Sequence, residues 1–285
     1  MDELPFTGER FIPGTRGEIW IEHWHRYHFA RAWVAGKRVL DVACGEGYGS
    51  ALLARDAQHV TGVDAAEAAV AHARTAYSGV GNVSFQQGSC ESLPLADSGV
   101  DVVVSFETLE HITAHEAFVD EVARVLAPSG VLLLSCPNKA EYSDRRGYAN
   151  EFHVKELYRE ELAALLARRF PATMWFDQKP NFFSVIAPEG LATAGAVAEV
   201  EEGDPIDASP HFANPVYFIV AASRDASALA AVPAALHVFS DRGEWVRRDY
   251  EKVMGWMQQA VADRERLQRE LEERDRTIAA LRREP

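Results

Sequence analysis

The sequence predicts an α/β protein: an open, mostly parallel seven-stranded sheet with helices on both faces, followed by a C-terminal coiled-coil helix. Three observations lead there. Short apolar runs that end in an acid or another polar residue alternate with helix-forming stretches between residues 39 and 137. Gly45, Gly47 and Gly49 sit where the first run gives way to the first of those helices. Residues 253–281 carry mainly apolar side chains at alternating intervals of four and three. With 285 residues, 47% of them hydrophobic, the chain can bury one large α/β core and still carry additions.

The first run, Val39-Leu40-Asp41-Val42, reads as a buried strand, and Ser50-Ala51-Leu52-Leu53-Ala54 as the helix after the glycine loop. Strand, glycine turn and helix form the crevice in which open α/β sheets hold nucleotide-like ligands. The spacing here is G-x-G-x-G, whereas the dinucleotide fingerprint is G-x-G-x-x-G. Asp41 precedes the loop and would repel a pyrophosphate, but it would attract a cationic amino group. S-adenosylmethionine (SAM) has an ammonium and a sulfonium and no phosphate. Val60-Thr61-Gly62-Val63-Asp64 reads as a second strand, and its acid lies where a carboxylate accepts both ribose hydroxyls. Residues 83–95 give a third strand and its loop, and residues 100–111 a fourth strand with a polar exit. Residues 124–135 give a helix end, a Pro-Ser-Gly turn and a fifth strand. Two further strands, 172–177 and 216–221, close the sheet, with 181–187 extending the first of them.

This succession over residues 39–137 resembles the class I SAM-dependent methyltransferases of the type-11 and type-23 kind, whose sheet is Rossmann-like. The resemblance implies SAM as cofactor and a role for each matching position. Asp41 and the loop Ala43, Gly45, Gly47 and Gly49 would hold the methionine end, and Asp64 with its neighbour Ala65 the ribose and adenine. Ser89 and Cys90 would lie on the adenine edge, and Phe106 beside the methionine. Ala43 stands where the family often has Gly, and Ser89 where it often has Asp. A serine hydroxyl still accepts a hydrogen bond, without charge assistance.

Three attachments surround this region. The aromatic-rich stretch 18–33, preceded by an arm containing residues 9–13, would form a helix over the cofactor mouth; Arg26 would reach the SAM carboxylate and Tyr27 would cover the sulfonium. His25 and His28 are three apart, but no third ligand accompanies them, so no metal is expected. The stretch after the fifth strand would cover the acceptor pocket, because ligands bind beyond the carboxyl ends of the strands. It supplies Tyr142, Asn150 and His153. Residues 188–214 hold six acids and no Lys or Arg, and read as a solvated loop. At the C-terminus, Val253, Met257, Ala260, Arg264, Leu267, Leu271, Arg274, Ile278 and Leu281 form a heptad seam, flanked between 263 and 284 by seven acids and seven arginines. The expected organisation is an arm and helix at 1–36 and a methyltransferase domain at 37–223, with an acceptor insert at 137–153 and an acidic loop at 188–214. A linker at 224–244 and a coiled coil at 245–285 follow.

Composition narrows the function. A formal charge of −14 disfavours a bulk nucleic-acid substrate, which needs a basic face. No window is long and apolar enough for a transmembrane segment. Cys44, Cys90 and Cys136 form no C-x-x-C pair and suit a reducing cytoplasm; no signal peptide is visible at Met1. Methyl transfer to a hydroxyl needs its proton removed, and imidazole titrates near neutrality. His153, in the pocket-facing insert, is the first candidate base and His111, at the fourth strand's exit, the second. Glu107 and Glu110 are candidate acceptor ligands. The segments 106–111 and 150–157 with a terminal coiled coil resemble methyltransferases of bacterial surface-polysaccharide and O-antigen systems. That resemblance implies O-methylation of a sugar hydroxyl on a glycan, with homo-oligomerisation through the coiled coil. The alternatives are an O- or N-methyltransferase of small molecules in secondary metabolism, and a degenerate SAM-binding scaffold acting through its coiled coil.

Overall fold

The computed structural model describes residues 17–181, 184–189, 199–201, 204–209, 214–232 and 235–281. Contacts divide the chain into two units, 1–240 and 241–285. The first contains α1 (Glu18–Val34), β1 (Arg38–Val42), α2 (Tyr48–Leu53), β2 (His59–Asp64), α3 (Glu67–Ala76), β3 (Val83–Gln87) and β4 (Val100–Phe106). After a 3-10 turn (Leu109–His111) come α4 (His115–Val125) and β5 (Leu126–Pro137), then a π-helical turn (Ala140–Asp144) and α5 (Arg159–Ala167). The chain continues through β6 (Ala172–Pro180), β7 (Ser184–Pro188), β8 (Glu199–Glu201), β9 (Asp204–Ser209), β10 (Tyr217–Ser223), α6 (Ala226–Ala230) and β11 (His237–Phe239).

The main sheet has nine strands in the order β11-β7-β6-β10-β5-β4-β1-β2-β3. The pairings from β5 to β3 are parallel, and those from β5 out to β11 are antiparallel. The expectation of seven mostly parallel strands is therefore corrected to nine in a mixed sheet. Residues 181–187 do not extend β6. Pro180 and Asn181 end it, and β7 turns back so that Lys179 pairs with Val185. Residues 237–239, expected in a linker, add β11 and cover the β7 edge. Within the stretch read as a solvated loop, β8 and β9 pair as a separate two-stranded ribbon. The rest of that stretch between 190 and 213, and the arm at 9–13, lie outside the described residues.

Strand alternation builds the core on both faces. In β5, Leu132 and Leu134 join α4 and α5 in one buried cluster, while Val131 and Leu133 join α1 and α2 in the other. β10 does the same with Phe218 and Val220 against Ile219 and Ala221. Phe118, Val119 and Val122 place one face of α4 on the sheet, each fully buried and each contributing about 1.5–3 kcal/mol. α1 is apolar on several sides because it is covered on several sides: Phe29 packs edge-on against Phe176 and Tyr27 edge-on against Phe106, while Trp20 lies tilted against Phe239.

The second unit is one helix, α7 (Trp245–Leu281), of 37 residues. The Asp241 carboxylate accepts the Trp245 N–H at its start. Val253, Met257, Leu267, Leu271 and Ile278 of the seam are exposed on it. No helix among the described residues is long and apolar enough to cross a membrane.

Candidate active site

The carboxyl ends of β2, β1, β4 and β5, with the start of β10, form one edge of the sheet, and a cleft of 970 Å³ runs along it. Its nucleotide-like end is made by the loop after β1 and by Asp64. Gly47 holds φ +88°, and a Cβ there would stand 2.6 Å from the Phe85 ring. Ala43, also left-handed at φ 58°, leaves the strand and turns the Cys44 N–H onto Val63 O. Asp64 is held in place at the end of β2. One oxygen accepts the Gly45 N–H at 2.8 Å and the other the Ala66 N–H at 2.9 Å. Ala43, Gly45, Asp64, Ala65 and Cys90 line this end, and Tyr27 and Phe106 line the cleft beyond it.

Five expected cofactor residues are not brought to the cleft surface. Asp41 is fully buried, accepts Tyr27 Oη–H at 3.1 Å and Ser50 Oγ–H at 2.6 Å, and is pushed up to about 7 by that burial. It therefore anchors Tyr27, which lines the cleft, whereas Asp41 itself does not. Gly49 is a packing glycine: a Cβ would come within 2.1 Å of the Tyr27 ring. Gly47 likewise makes room for Phe85 and Ala73. Ser89 accepts the Glu91 N–H and caps its own turn, leaving Gly88 and Cys90 as the lining. Arg26 is buried behind the wall, donates to Gln178 Oε1 at 2.8 Å, lies over the Tyr217 ring, and approaches Glu107 to 3.6 Å. It does not line the cleft.

The other end of the cleft is acidic and aromatic. Glu107 leaves β4 in a left-handed conformation, φ 52°, and accepts Ser135 Oγ–H at 2.7 Å. Such strain is retained where the surroundings fix it, and it turns Glu107 into the cleft. The insert after β5 is anchored by Asn138, which donates its backbone N–H to Val216 O and its side-chain amide to Pro215 O. The insert returns to the sheet edge where Val154 and Lys155 donate to Glu110 O. These anchors set Tyr142, Asn150 and His153 on the cleft wall, as expected.

His153 stacks on Tyr142 at 5.3 Å and meets the edge of His111 at 5.2 Å. Its Nδ1–H donates to Glu156 Oε1 at 2.6 Å, and Glu156 Oε2 accepts Ser143 Oγ–H at 2.6 Å. Its Nε2 accepts the Asn150 amide at 3.0 Å. His111 donates Nδ1–H to Phe152 O at 3.0 Å. Burial pushes the Tyr142 hydroxyl up to about 12, which keeps it a hydrogen-bond donor. Burial also raises Glu110, with Glu107 as the second cause. Sequence reasoning missed Glu156, whose position three residues after His153 was the available signal, and it missed Tyr148 and Tyr217, which also line the wall.

Residues 40–134 match the methyltransferase domain family. A probable SAM-dependent methyltransferase of Mycolicibacterium smegmatis is 44% identical over 169 residues, covering 57% of this chain and 63% of that one. A probable SAM-dependent methyltransferase of Mycobacterium tuberculosis is 42% identical over 166 residues, covering 57% of this chain and 60% of that one. The chain is similar over residues 40–134 to SAM-dependent methyltransferase domains. It spans less than two thirds of the length of either relative. The crystal structure of the YcgJ protein of Bacillus subtilis shares the fold, with a TM-score of 0.50 at 22% identity over 71% of this chain and all of that one. SAM is the cofactor of such a domain, and the methyltransferase cleft fits it. The Ala43 and Gly45 backbone gives close approach, and the carboxylates of Glu18, Asp64 and Glu107 on its lining favour a cationic ligand.

Proposed function

We propose that the chain transfers the SAM methyl group to a sugar hydroxyl on a glycan or surface polysaccharide. The observation that carries this reading is His153 on the cleft wall with the Glu156 carboxylate bonded behind it. Bound SAM would supply an activated methyl carbon, to which the acceptor oxygen bonds as the sulfonium leaves as a neutral thioether. The acceptor hydroxyl donates to His153 Nε2, in the position now taken by the Asn150 amide. His153 takes the proton, and Glu156 stabilises the imidazolium and fixes its tautomer, as carboxylates do behind catalytic imidazoles. Tyr142, Asn150 and Glu107 offer hydrogen bonds to neighbouring hydroxyls, and Tyr148, Phe152 and Tyr217 offer ring faces to the apolar face of a sugar. Two or three copies would join through the α7 seam as a coiled coil. The three free thiols suit a reducing cytoplasm.

Transfer of labelled methyl from SAM to a panel of glycans and small hydroxyl compounds tests this. Glycan acceptors should be methylated, and His153→Ala should lower kcat by about a hundredfold or more with SAM affinity near wild type. Glu156→Gln should give a smaller loss. Unchanged turnover in His153→Ala sinks the base, and transfer confined to the small compounds sinks the glycan.

A further inference from the structure

The geometry points to a binding site for a first-row transition-metal dication, of the Zn2+ type, formed by Glu110, His111 and His153 on the cleft wall. One donor atom from each of the three lies within 4.8 Å of the others. His111 Nε2 stands 3.9 Å from Glu110 Oε1. Three donors at metal-bond lengths of about 2.1 Å sit roughly 3.4 Å apart in a tetrahedral shell, so closing this group takes about an ångström of side-chain motion.

The surroundings of each donor independently suit a cation. Metal-bound imidazoles characteristically donate their second N–H to a carbonyl or carboxylate, which fixes tautomer and orientation. Both rings already do so: His111 Nδ1–H is held by Phe152 O and His153 Nδ1–H by Glu156. The lone pair left on each is at Nε2. Glu110 is 1% exposed, and its Oε2 is buried without a hydrogen-bond partner. An acceptor oxygen left so is costly in a folded protein, and a cation is one thing that satisfies it. Frame and insert are also already joined, because Val154 and Lys155 N–H groups donate to Glu110 O. His153 Nε2 accepts the Asn150 amide in the absence of an ion, and that is the one contact a cation must displace.

Two imidazoles and one carboxylate select Zn2+, Co2+ or Ni2+ over Mg2+ and Ca2+, which prefer all-oxygen shells. All three ligands line the cleft, so remaining coordination positions open onto the acceptor wall. The competition between cation and proton for His153 Nε2 rests on the function proposed above; the site itself does not.

Calorimetric titration of the full chain with Zn2+, paired with visible absorption of the Co2+-loaded chain, tests the site without measuring turnover. Expected are one tight equivalent and the bands of a low-coordinate Co2+ centre. The isosteric Glu110→Gln and the double His111→Gln/His153→Gln should abolish them, and Glu156→Gln, which alters only the support of His153, should weaken affinity by about 10–100-fold. A wild-type chain that takes up no Zn2+, or one whose uptake is unchanged in these variants, overturns the proposal. In the second case the hydrogen-bonded pair His25–His237 becomes the place to look. Zn2+ uptake with normal transfer in His153→Ala defeats the base assignment and leaves the site standing; transfer lost in His153→Ala with no Zn2+ uptake does the reverse.

Discussion

Single residues decide how the cleft is held open. Asp41 was legible as an acid at the end of the first strand, but its burial was not. Only the packed structure shows Tyr27 reaching from α1 and Ser50 from α2 to saturate its oxygens. The same packing explains Gly49, which the sequence places in a ligand loop and the structure places under the Tyr27 ring. Gly49→Ala should therefore cost about 1–3 kcal/mol by overpacking, and should loosen the Tyr27–Asp41 contact. Urea unfolding measures the first and near-ultraviolet circular dichroism the second; a variant as stable as wild type would mean that α1 moves away freely. Asp64 was legible from position, since a strand-end acid about 20 residues after the loop has few other uses. Glu156 was not, because a carboxylate three residues from a histidine is common on surfaces and only its contact with His153 gives it meaning.

Among elements, the parallel half of the sheet was legible and the antiparallel half was not. β1 to β5 advertise themselves as apolar runs between helices, with the glycine loop fixing order. β7 and β11 are short, and their assignment depends on pairing partners far away in sequence. α1 is fixed to the antiparallel half by His25, fully buried, which bonds Ser184 of β7 and His237 of β11. Burial, then His237, Arg26 and His28, lower its pKa from 6.5 to about 2. The folded state thus holds His25 neutral where the unfolded chain protonates it. Its share of stability is complete above pH 6.5 and is lost as pH falls from there toward 2. Asp41 and Glu22, both raised to about 7 by burial, act with the opposite sign, favouring the fold most below about pH 4 and losing that share as pH rises through 7. The wild-type profile therefore mixes the three. In His25→Gln the slope of stability with pH between 6 and 4 should be less positive than in wild type by up to one proton, about 1.4 kcal/mol per pH unit. Denaturant midpoints across that range measure it, and parallel profiles would contradict the assignment.

For the whole molecule, the catalytic unit and the terminal helix answer to different physics. The 1–240 unit has its own two-sided core, whereas α7 buries almost nothing of its own. A helix about 55 Å long is supported alone by capping at Asp241 and by exposed pairs such as Arg247–Glu251, each worth about 0.3–0.5 kcal/mol. Its exposed Leu267, Leu271 and Ile278, with Trp256 and Val261 beside the seam, call for a covering partner. Deleting residues after Gly243 should convert a dimer or trimer into a monomer that still binds SAM. Light scattering reads this directly, and a monomeric full-length chain, or an oligomeric truncation, contradicts the coiled coil. That this stretch is one helix was legible because its periodicity is a local pattern; the acidic and aromatic end of the cleft was not, because it gathers residues from the exit of β4, the insert and β10.

We propose that the cleft at the strand ends binds SAM through Asp64. Calorimetric titration with S-adenosylhomocysteine tests it most directly. Wild-type chain should bind one equivalent. Asp64→Ala should weaken that by tenfold or more, since each hydrogen bond to a charged group is worth about 1.5–3 kcal/mol. Asp64→Asn, which keeps the shape and one acceptor oxygen, should fall between. Equal affinity in wild type and Asp64→Ala, or no binding by a folded wild-type chain, would show that Asp64 does not hold the cofactor.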